Sequence, residues 1–86
     1  MHTVELLEAA ANMAAQLGYC VRRDWLAGQG GGACTVRGEK WLFLDLATDY
    51  AEQLDVVLTA LRTEPTLDAT DLPDDLATRL DRPHAA

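Results

Sequence analysis

The chain reads as a small α+β domain. The expected architecture is a three-stranded antiparallel sheet in α-β-β-β-α order, closed by a short C-terminal helix. Three observations predict it. Apolar residues recur at helical spacing over residues 3–17 and again over 49–63. Between these segments, residues 19–26 and 33–46 alternate with the period of two that a pleated strand imposes. Within the second of these, Gly38-Glu39 is a turn signal that divides it into a hairpin. The 86 residues make one domain with a modest core. We assign residues 1–82 to it and expect 83–86 to form a frayed tail.

The first helix has Thr3 as its expected N-cap and Gly18 as its left-handed stop. Leu6, Leu7, Ala10, Met13, Ala14 and Leu17 form its apolar stripe, and the alanines permit close packing. The first strand places Tyr19, Val21, Arg23 and Trp25 on one side and Cys20, Arg22, Asp24 and Leu26 on the other. In the hairpin, a Gly-X turn of type II′ would set Val36 opposite Trp41 and Cys34 opposite Phe43. Those four form one apolar face, and Ala33, Thr35, Leu42, Leu44 and Leu46 form the other. A strand apolar on both sides needs cover on both sides. The second helix opens with Asp49 as N-cap and Glu52 three residues on, and Pro65 stops it. Leu72, Leu76 and Leu80 lie four apart in a last short helix over 72–80 with Pro73 in its first turn, a stripe suited to the uncovered side of the sheet.

Five glycines fall within residues 28–38. A phosphate loop needs a Lys followed by Ser or Thr and a helix opening behind it. Here Gly28–Gly32 leads into a strand-like run, so the glycines read as backbone freedom between strands. Seven basic against fourteen acidic residues give a net charge of −7. That balance argues against nucleic acid, whose binding rests on Lys and Arg, and against acidic membranes. No membrane span or leader pattern is visible, so a cytoplasmic location is expected.

Catalytic chemistry finds little support. The chain contains no serine, and its two histidines, His2 and His84, sit at opposite ends. Cys20 and Cys34 are too widely spaced for a redox CxxC motif, and no metal or cofactor is expected. Cys34 reads as a small core residue beside Phe43. Asp45 reads as a turn and capping residue, and Asp74 and Asp75 as first-turn helix acids.

The residues Gly31, Gly32, Cys34, Gly38, Asp45, Glu52, Gln53, Ala60 and Leu61 form a pattern that resembles a family of small uncharacterised bacterial proteins. The likeness covers residues 4–80 and implies no activity. A helix-hairpin-helix order with "WLFLD" before the second helix is also similar to the scaffold of ImmA/IrrE-type zinc metallopeptidases. That likeness puts Thr59 and Thr63 where the zinc histidines stand and Ala60 where the glutamate stands. It implies a scaffold without its chemistry, since Thr does not replace imidazole and Ala is not a base.

The expected function is therefore a non-enzymatic protein-binding or assembly module that pairs with itself as a homodimer. Trp25, Trp41 and Phe43 are the expected interface, with Leu42, Leu44, Leu72, Leu76 and Leu80 as the alternative surface. The contrasting expectation is a small thiol-dependent enzyme or redox protein using Cys34 beside the Gly28–Gly32 loop.

Overall fold

The computed structural model describes residues 2–65, 67 and 72–80. Helix α1 (Thr3–Gln16) leads into strands β1 (Tyr19–Asp24), β2 (Gly32–Val36) and β3 (Glu39–Asp45). Helices α2 (Tyr50–Arg62) and α3 (Asp74–Arg79) follow. The fold is α+β with a short helix near the C-terminus, but the sheet is mixed rather than antiparallel. Its order is β1-β3-β2, with β1 parallel and β2 antiparallel to β3. The physical reason lies in the three compositions. β3 is apolar on both sides and takes the centre. β1 carries Arg22, Arg23 and Asp24, and stays at an edge where they reach water. The chain therefore leaves β1, crosses the C-terminal end of β3, and returns along β2.

The hairpin also closes differently from expectation. Its loop residues are Arg37 and Gly38, both left-handed at φ 53 and 82, which is the type I′ pattern. Val36 consequently faces Glu39, and Cys34 faces Trp41. The register is displaced by two residues from the expected one, an even number, so every side chain keeps its predicted face.

One face of the sheet is covered by helices. Leu42 and Leu44 have no exposed surface and share one core with Leu6, Leu7, Ala10 and Ala14 of α1 and Leu54, Val57 and Leu61 of α2. Burying each leucine contributes roughly 1.5–3 kcal/mol. Lys40 ties the helix ends together. Its ammonium donates to the Leu17 carbonyl at 2.9 Å and to Glu64 Oε2 at 2.9 Å, and lies 4.7 Å from the Tyr19 ring centre. A cation at a helix C-terminus is favoured by the exposed carbonyls there. At the start of α2, Asp49 accepts from the Glu52 amide at 2.8 Å, the expected cap. At α1 the cap position belongs to His2, with no side-chain bond, and Thr3 is already helical.

Leu76 and Leu80, at 0% and 2% exposure, join the same core together with Leu72. α3 rests against α1, and Arg62 donates to the carbonyls of Arg79 and Leu80 at 3.0 and 3.4 Å. The leucine stripe thus docks among the helices and not on the uncovered side of the sheet. Leu42, Leu44, Leu72, Leu76 and Leu80 are interior and unavailable as an alternative interface. The expected domain end at 82 and the tail 83–86 lie outside the described residues. Among the described residues no helix is long and apolar enough to cross a membrane.

The crossing loop makes one sharp demand. Gly31 has φ +73, and a Cβ there would overlap the Phe43 carbonyl. Gly28 is also left-handed, at φ +84, but has open space around it. Gly31→Ala should therefore cost about 1–3 kcal/mol more than Gly28→Ala, the difference being the overlap itself. Urea unfolding of the two variants checks this.

Candidate functional site

The face of the sheet away from the helices carries the side chains that β3 directs outward. Trp41 and Phe43 stack there, with ring centres 5.9 Å apart and planes 11° from parallel. Parallel pairing aligns Cys20 with Trp41 and Arg22 with Phe43 on one flank. Antiparallel pairing aligns Cys34 with Trp41 on the other. Trp41, Phe43, Arg22, Asp24 and Val36 line a shallow depression of about 440 Å³. The two rings are half-buried and Val36 is 50% exposed. Arg22 Nε donates to Asp24 Oδ2 at 2.8 Å, so the nearest charges neutralise each other.

Cys34 is not a core residue: both cysteines are free and exposed on this face. β3 runs between them, which sets them roughly 10 Å apart at two strand spacings. That exceeds the ~7 Å at which an intrachain disulfide becomes impossible. Cys34 also opens on a second hollow, of about 430 Å³, lined by Leu26, Gln29, Gly31 and Phe43. Among the described residues no three His, Cys, Asp or Glu side chains converge as metal ligands.

Asp45 explains the glycine loop. It has no exposed surface and stands at the end of β3, where the chain crosses from β1 to β2. Oδ1 accepts from the Leu26 amide at 2.9 Å and the Ala47 amide at 2.9 Å, and Oδ2 from the Gly30 amide at 3.0 Å. The loop therefore does hold an anion, but an internal one, and its amides are turned inward rather than towards a ligand. Burial pushes the Asp45 carboxyl up. The amides of Gly30, Ala47, Leu26 and Gly28 outweigh burial and hold it below the usual carboxylate value. Its role extends the expected one: Thr48 bonds back to the Asp45 carbonyl in the anticipated turn, and the carboxylate also fastens the loop.

Of the aromatic residues singled out from sequence, the structure brings Trp41 and Phe43 together. Trp25 lies beyond the end of β1, in the loop, 72% exposed. His2 is at the start of α1, and His84 lies outside the described residues. Cys20, Arg22 and Asp24 were not assigned to this face by sequence reasoning. Alternation groups them with one another, but only the parallel register puts them beside Trp41 and Phe43.

The lowered Asp45 value has a definite consequence with pH. The stabilisation from its charge is complete above the unfolded pKa of about 3.9 and is lost as pH falls through the folded value. Asp45→Asn should lower the urea midpoint at pH 7, and the gap to the parent should narrow as pH falls from about 5 to 2. Unfolding curves across that range test it. Compared with family models, curated proteins and solved structures, the chain finds no match.

Proposed function

We propose that this chain is a non-enzymatic protein-binding or assembly module whose open sheet face pairs with a second copy. The observation that carries the reading is the Trp41–Phe43 stack on the sheet face that, among the described residues, no helix covers. Aromatic side chains dominate interface energetics. The charges around the stack balance: Arg22 and Asp24 on β1, Arg37 and Glu39 at the hairpin. On a chain of net charge −7 this leaves the face free of the self-repulsion that the rest of the surface carries. Strands of six, five and seven residues offer less than the roughly 800 Å² per partner of a standard interface. Pairing through so small a patch is accordingly weak.

Sedimentation equilibrium from micromolar to millimolar chain should show a monomer–dimer equilibrium. Trp41→Lys should weaken it by about thirtyfold, the effect of losing a hot spot. A strictly monomeric parent chain at millimolar concentration refutes the reading.

The exposure of Cys34 beside its own hollow favours a second reading, a thiol-dependent activity. Timed alkylation of dilute protein separates the two. Under the assembly reading Cys20 and Cys34 label at similar rates, and both slow as the chain associates. Rapid labelling confined to Cys34 supports thiol chemistry.

A further inference from the structure

We infer that the free edge of β2 takes up an extended peptide segment of a partner protein, which adds a fourth strand in the groove between β2 and α2. The hairpin is closed by Val36 and Glu39, so Gly32, Cys34 and Val36 bond inward to β3. Ala33 and Thr35 turn their N–H and C=O groups outward, and among the described residues β2 lies at the rim of the sheet. Exposed edges are ordinarily blunted by Lys, Pro, charge or a bulge. β2 reads Gly-Ala-Cys-Thr-Val, with one-to-one pairing throughout, and has none of these. The opposite edge, β1, carries Arg22, Arg23 and Asp24.

Beside this edge runs a groove of about 430 Å³ whose walls include Ala33, Val56, Thr59, Ala60 and Thr63. Residues of an added strand opposite Ala33 and Thr35 share their side of the sheet and project over α2. Main-chain bonds then supply affinity, and alternate side chains in the groove supply selectivity. Among the described residues Asp55 is the one charged residue lining the groove. Together with the net charge of −7 it selects a segment carrying Lys or Arg. A second acidic copy docking edge to edge would instead set two such grooves against each other. This surface is separate from the open face of the sheet, and the inference stands independently of pairing there.

Random peptides displayed on phage, panned against the folded chain with Ala33→Pro as the counter-target, test the inference. Enriched sequences should alternate β-branched residues with others and contain Lys or Arg. A synthetic copy of the enriched peptide should slow hydrogen exchange at the Ala33 and Thr35 amides by about tenfold or more. Its binding should fall about tenfold or more in Thr59→Trp, which fills the groove from an exposed helix position, and should be unchanged in Trp41→Lys. Asp55→Lys should shift the enriched sequences from basic to acidic. The inference fails if nothing is enriched over the counter-target, if bound peptides leave those amides unprotected, or if binding survives Thr59→Trp. Loss of self-association in Ala33→Pro assigns the edge to a second copy and equally overturns it.

Discussion

Leu42 and Leu44 have no contact with solvent, and taking them out of water is what joins the sheet to its helices. Because strand side chains alternate, the same choice commits Trp41 and Phe43 to the other side. Two helices fill one face of a three-stranded sheet, and α3 adds its leucines to that same layer. Nothing in the described residues forms a second layer over the aromatic pair. The open face is thus a direct product of the core, and not a separate feature added to it.

Placing β3 in the middle has a second consequence. A parallel β1–β3 pair with β2 on the far side forces the connecting chain across the end of β3. A backbone crossing there brings amides close to the last residue of the strand. The buried Asp45 carboxylate accepts from two of them, Leu26 and Gly30, and from the Ala47 amide just after β3, and Gly31 lets the loop rest against the Phe43 carbonyl. Buried polar groups are tolerated when their bonds are complete, and here they are. The glycines and the aspartate are one device, although fifteen residues separate Gly30 from Asp45 in the sequence.

The surface falls into chemically distinct parts. The open face is aromatic and locally neutral, with two thiols beside Trp41. The β2 edge is small and uncharged, with Asp55 in the adjoining groove. The other edge is charged, where Arg23 reaches Glu8 on α1 at 2.8 Å. The buried Asp45 carboxylate at the end of β3 is occupied by the amides of Leu26, Gly30 and Ala47.

The helices and the Asp49 cap were legible because they depend on neighbours three and four residues apart. The two sides of each strand were legible for the same reason at period two, and they survived an error in hairpin register because that error was even. Strand order was not legible. Antiparallel neighbours were the simplest connection, and the preference of β3 for the centre emerges only when all three strands compete for the same helical layer. The side taken by Cys20, the exposure of Cys34 and the docking of Leu76 and Leu80 follow from that competition. The sequence by itself therefore determined the elements and which residues share a face. The tertiary structure alone decided which face is covered, because coverage is settled by long-range packing that no local spacing encodes.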